Sequence, residues 1–326
     1  MKTSERGFAL VAVLLVLALL GALGAEFAYT MRLEASSVRA YKDTVIATHL
    51  AEAALAQARS EILNDYNFVC LAEDGEVSFF MRDGTSVPRY ARKKVPLGSG
   101  QYSYTIDDED RFMNLNTSRP DRVDRLLQLL GLEKTDRDVI VDSIQDWRDA
   151  NEDHRVNGAE SEDTYLKRAV PYRSRNRNLE SVRELLQIKG ITPALFYGTE
   201  GRPGLVHAVT VRGSGRINVN TADPLVLRAL ALSDAEIETF LQMRKSSCFT
   251  TLPTIGTIAG RGFVLTSRTF RVTAEGLIDG QVRARITAVL QKGGSDGGVN
   301  VLDWSADEAS PKSSDTTPAH ASATRT

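Results

Sequence analysis

Cysteine and histidine are scarce: 326 residues hold two cysteines, Cys70 and Cys248, and four histidines. Neither cysteine belongs to a Cys-x-x-Cys pair, which argues against a zinc site or a thioredoxin-like centre. His49, His154, His207 and His320 form no His-Glu-x-x-His arrangement. A Gly-x-Ser-x-Gly elbow, a P-loop and a Gly-x-Gly-x-x-Gly fingerprint are also lacking, so the chain is predicted not to be an enzyme. An excess of charge of one sign is missing too. The formal net charge of -2 supplies no basic field to recruit nucleic acid. Two further absences are local. No charge or hydrogen-bonding side chain interrupts residues 8–25, and no glycine or proline falls between Gly24 and Gly75.

Those two absences define the N-terminus. Lys2 and Arg6 precede the apolar run FALVAVLLVLALLGALGA. At helical rise the run is about 27 Å long, close to the thickness of a bilayer's hydrocarbon core. The preceding positive charges predict a cytoplasmic N-terminus and an outward-facing body. Three readings compete: a signal peptide cut near Gly-Ala-Leu-Gly-Ala at 21–25, a plain anchor, or the first half of a longer helix. Strong helix formers continue to about Asn64, and HLAEAALAQARSEI keeps apolar positions at helical spacing. A signal peptide has no need of that extension. One helix over residues 8–65, membrane-spanning at about 8–28, accounts for it better.

Gly7-Phe8, followed by this stretch, resembles the type IV prepilin signature. The resemblance implies that residues 1–7 are a leader, that a prepilin peptidase cuts between Gly7 and Phe8, and that Phe8 is then methylated. Pilin-like proteins usually carry Glu at the fifth mature position, where this chain has Ala12. A buried carboxylate is costly without a partner, and a subunit lacking it fits a filament tip with no neighbour above.

Strand signals follow the helix at VSFF (77–80) and YSYTI (102–106), and return at FRVTAEGLI (270–278) and VRARITAVL (282–290) around Asp279-Gly280, a two-residue hairpin signal. Residues 66–110 and 266–292 are therefore predicted to form an α+β body of pilin-like fold, the long helix packing on an antiparallel sheet. Between them, 111–265 reads as a large inserted all-helical domain with an internal echo. Asn114, Asn116 and Thr117 match Asn218, Asn220 and Thr221 at a constant offset of 104. Each copy offers N-cap candidates and a proline, Pro120 or Pro224, near the first helical turn. Ser233-Asp234-Ala235-Glu236 reads as a capping box.

This doubled Asn-x-Asn-Thr pattern, INVNTADPLVLRAL above all, resembles the K-type minor pseudopilin of type II secretion. The resemblance implies a subunit at the pseudopilus tip that helps start assembly for export of folded proteins across the outer membrane. Its implied partners are the I- and J-type minor pseudopilins, the inner-membrane secretion platform, the prepilin peptidase and membrane lipid. The implied location is the bacterial inner membrane, single-pass, with the body in the periplasm. There a Cys70–Cys248 disulfide is chemically allowed; the alternative is two unpaired small hydrophobes.

The insert also resembles helix-hairpin-helix modules, which suggests a type IV pilus or DNA-uptake component as the alternative. That function needs glycine-opened N–H groups and nearby cations. Here only Gly131 is offered, and Glu133, Asp234 and Glu236 stand where phosphate would bind, so no nucleic acid is expected. Residues 146–165 carry seven acidic side chains. His154 replaces the glycine an EF-hand requires, yet Asp146, Asp149, Asn151, Asp153, Glu160 and Asp163 could wrap Ca²⁺ in an irregular loop, and some K-type relatives bind calcium. Asp107 to Asp110 read as a solvated strand end, Trp147 as core, and residues 293–326 as a disordered tail in which VLDW (301–304) could dock on a partner.

Overall fold

The computed structural model describes residues 4–253, 261–293 and 297–308. One helix, α1 (Ser4–Leu63), runs 60 residues without a break. From Leu10 onward its apolar stretch is exposed and is long and apolar enough to cross a membrane. Ala47, Leu50, Ala51, Ala54, Ala58 and Ile62 in the second half are buried at helical spacing. The alanines serve close approach. In the strand β11 (Thr269–Ile278), a Cβ on Gly276 would run into the backbone carbonyl of Ala47, so the helix lies directly on the sheet's backbone.

That sheet has five strands, all neighbours antiparallel, in the order β13 (Val299–Glu308), β12 (Gln281–Lys292), β11, β4 (Gly100–Asp108) and β3 (Val95–Leu97). A separate hairpin pairs β1 (Phe68–Leu71) with β2 (Val77–Phe80). Strands β3 and β4 follow it, and the chain then leaves for the insert. It returns as β11 and β12, joined at Asp279-Gly280. Both turn residues have positive φ, 52° and 74°, as a type I′ hairpin turn requires. Val69, Phe79, Tyr104, Phe270, Ile286 and the α1 alanines close one core.

The tail reading is corrected at residues 299–308. They form β13 along β12. Val299 is buried against the body core, whereas Val301 and Trp304, opposite Leu290 and Ala288 in register, stay exposed. A register shift at Leu290 breaks the period of two along the strand, and the polar composition of the segment conceals it further. Residues 309–326 lie outside the described residues.

The insert has its own core, which includes Trp147, edge-on to Tyr165 with ring centroids 5.2 Å apart. Its first half runs β5 (Met113–Asn114), α2 (Pro120–Leu129) and α3 (Lys134–Arg148). A connecting region carries α4 (Pro193–Tyr197), the two-residue pair β6 (Gly198–Thr199) and β7 (Arg202–Pro203), and β8 (Val209–Thr210). The second half runs β9 (Ile217–Asn218), α5 (Pro224–Ala229), α6 (Asp234–Ser246) and β10 (Phe263–Val264). Besides its helices the insert therefore contains two short parallel ladders, β5 with β8 and β9 with β10.

Candidate functional site

The echo in sequence is a duplication in structure. The Asn114 side chain accepts from Asn116 N (2.9 Å), and Asn218 accepts from Asn220 N (3.0 Å), so each Asn-x-Asn turns the chain in the same way. Asn116 then grips Leu179, accepting its N–H at 2.9 Å and donating to its carbonyl at 2.8 Å. Asn220 grips Phe249 likewise, at 2.9 and 3.1 Å. A closing arginine completes each half. Arg148, in the last turn of α3, donates to the carbonyls of Leu115 and Asn116, and Arg244, in the last turn of α6, to those of Val219 and Ala222.

The offset between copies is 104 at the asparagines, 100 at the positive-φ hairpin residues Gly131 and Ala231, and 96 at the arginines. Each step of four is about one helical turn, which shortens a helix without rotating its buried face. Pro224 opens α5 behind Asp223, whose side chain accepts from Leu225 N, and Ser233 with Glu236 forms the capping box. In α2 the N-cap is Arg119, with no side-chain cap. Thr221 turns away from capping and donates instead to Asp108.

Asp108 is the hub between body and insert. Sited at the end of β4, it is fully buried, and its Oδ2 accepts from Thr221 Oγ1 (2.6 Å), Ser267 Oγ (2.8 Å) and Asn218 Nδ2 (2.9 Å). Glu109 pairs with Arg271 at 2.8 Å, and Asp110 accepts from both N and Oγ of Ser214. The solvated reading of this acidic run is thus corrected for Asp108, Glu109 and Asp110, all buried. Their donors come from across the insert and the returning strand, far away in sequence. Burial raises all three carboxyls. Asp110, with the Asp108 charge beside it, is pushed up to about 7.

The sulfurs of Cys70, in β1, and Cys248, just beyond α6, are joined, with their Cα atoms 5.9 Å apart. The bond spans 178 residues and ties the second half of the insert to the body.

Most of the candidate calcium ligands are engaged internally. Asp146 is buried and accepts from Arg155 N, Ala159 N and the Arg155 guanidinium, which also pairs with Asp149 at 2.6 Å. A Cβ at position 158 would run into the Asp146 carboxylate, which explains Gly158. Asn151 donates to Asp149 and accepts from Asp153 N, while Asp163 accepts from Glu160 N. Glu160 differs. It is buried, its Oε2 accepts from Ser174 Oγ at 2.7 Å, and its Oε1 has no partner. Burial, and then the charges of Asp146, Glu152 and Asp149, push it up to about 7. Among the described residues no three His, Cys, Asp or Glu side chains converge in metal-holding geometry. The fit to Ca²⁺ therefore narrows to Glu160, whose orphaned oxygen calls for a cation or a proton.

Gly7 and Phe8 lie within α1. The roles of the two asparagine pairs and of Asp108 were missed in the sequence. The repeat marked the asparagines, but nothing local pointed to their partners.

The family model described as Type II secretion system (T2SS), protein K, matches residues 106–198. A putative type II secretion system protein K of Escherichia coli K12 is 28% identical over 264 residues, covering 75% of this chain and 76% of the relative. Protein K of Pseudomonas aeruginosa is 25% identical, covering 93% of each, and that of Klebsiella pneumoniae 27% identical, covering 94% of this chain and all of the relative. In fold, a chain from the crystal structure of the GspK-GspI-GspJ complex of enterotoxigenic E. coli superposes with a TM-score of 0.62 at 18% identity, covering 85% of this chain and all of that one. Domain match, near-full-length relatives and fold agree, and the resemblance to type II secretion system protein K is borne out.

Proposed function

We infer that this chain is a minor pseudopilin of a type II secretion system, a non-enzymatic subunit that sits at the pseudopilus tip and helps initiate assembly. One observation carries the reading. The exposed apolar segment of α1 continues without a break into the spine of a sheet domain, so a single rigid element joins bilayer and body. An anchor alone would need no such continuity, whereas lateral packing of helices in a filament does.

In this reading the leader is cut between Gly7 and Phe8, Phe8 is methylated, and α1 spans the inner membrane with the body in the periplasm. Ala12 supports a tip position, because it spares the assembly a buried carboxylate without a neighbour. The solved relative lies in a complex with GspI and GspJ, which supports I- and J-type partners here. An oxidising periplasm suits the Cys70–Cys248 bond. The unpartnered Glu160 oxygen, in an oxygen-rich loop, is the ligand this reading offers to Ca²⁺.

The test is co-purification of the full chain with the I- and J-type subunits from membranes, with and without chelator. Stoichiometric recovery supports the assignment, and loss on chelation supports the ion. Failure to recover either subunit, under conditions where those two recover each other, contradicts the assignment.

A further inference from the structure

Below the body, α1 presents a charged face whose arginines carry no ion pair among the described residues. Arg32 and Arg39 stand two turns apart, about 10 Å along the helix, on one face with Ala35, Ser36 and Ala40. Arg283, at the start of β12, closes the upper end of a groove of about 400 Å³. All three arginines are exposed, and among the described residues none has an ion-pair or hydrogen-bond partner. Asp43 lines the same groove, so three cations meet one carboxylate there.

Position selects the kind of anion. The apolar run ends at Ala25, which puts Arg32 about 10 Å and Arg39 about 21 Å beyond it along the helix. A headgroup layer is only about 5–8 Å deep on each side of the hydrocarbon, so lipid phosphate reaches Arg32 at best and leaves Arg39 and Arg283 unmet. The groove floor selects the shape. Ala35, Ser36 and Ala40 are small and let a second helix approach closely, with Arg32 and Arg39 spaced for carboxylates two turns apart on it.

We propose that Arg32, Arg39 and Arg283 seat the stalk helix of a neighbouring pilin-type subunit through carboxylates on that helix. The seat rests on the pseudopilin reading and adds which face of α1 meets the partner and by what chemistry. Ion pairs at such a rim set register and rate of encounter more than raw affinity, so the contact is expected to weaken with salt.

The test uses the full-length chain, tagged and co-expressed with the I- and J-type subunits, purified in detergent. R32E/R39E is expected to lower partner recovery about tenfold, R32K/R39K to keep it within about twofold, and R82E, on an exposed turn of the body, to leave it unchanged. Asp or Glu to Arg changes along the partner's stalk should include one that restores binding to R32E/R39E. The proposal is overturned if R32E/R39E retains its partner within twofold, or if no reversal on the partner rescues it. It is also overturned if the double variant loses only its preference for phosphatidylglycerol over phosphatidylcholine vesicles, which would make the groove a lipid site. Wild-type chain that recovers no pilin-type subunit sinks the pseudopilin reading itself, a result distinct from these.

Discussion

Asn116 and Asn220 hold the two halves of the insert by the same device, each closing both ends of its amide on the backbone of one distant residue, Leu179 or Phe249. An amide is suited to this because it donates and accepts at once, as a strand neighbour's peptide group does. Asn220 is fully buried, and Asn116 half-buried. Asn220→Ala is expected to destabilise the soluble part by about 3 kcal/mol, through several unsatisfied buried groups, and Asn116→Ala by less. Urea unfolding checks the order. Equal, negligible losses would contradict it.

The buried carboxyls predict how stability follows pH. Asp110 and Glu160 titrate near 7 when folded, against about 4 when unfolded. A raised carboxyl contributes stability that is whole below the unfolded value and is lost as pH rises through the folded one. The metal-free protein should therefore have a lower urea midpoint at pH 8 than at pH 5. Asp110→Asn should flatten the change. Asp74, held low by Arg89, titrates far below this window and does not interfere. A midpoint that rises from pH 5 to pH 8 would contradict the burial argument.

The link between Cys70 and Cys248 restrains a long stretch of the unfolded chain. Cys70→Ser with Cys248→Ser should lower stability by about 2–4 kcal/mol. Peptide mapping without reductant should recover the two cysteines in one linked fragment. Free thiols in protein extracted from membranes with alkylation before lysis would contradict the link.

Gly276 tests the helix-on-sheet contact. Its missing side chain leaves room for the Ala47 carbonyl, so Gly276→Val should prevent α1 from seating and expose the body core to dye binding. Gly75→Ala offers the comparison, since nothing lies near its Cβ and only its positive φ resists the change, at about 1 kcal/mol. Similar losses for both would show that backbone strain, not close packing, governs position 276.

What the sequence disclosed follows from where each interaction lies. The α1 helix, the Asp279-Gly280 turn and the Ser233–Glu236 capping box rest on neighbours in the chain, and their signals are local. The Asn-x-Asn-Thr repeat was visible as a pattern, but its meaning depended on Leu179 and Phe249, 63 and 29 residues away. Asp108 to Asp110 read as a solvent-facing run because their partners Asn218, Thr221, Ser267 and Ser214 lie more than 100 residues on. Burial of a charge is decided by donors that only the fold brings near. Strand β13 was hidden for a related reason: its apolar side chains count only once β12 supplies the edge.

A pseudopilin requires α1 to stay one piece from membrane to body, with its processed end at the start of the apolar run. The intact mass of the chain extracted from membranes tests this most directly. The expected mass is that of a chain beginning at Phe8 and bearing one added methyl group. A chain beginning near residue 26 and released in soluble form would contradict it.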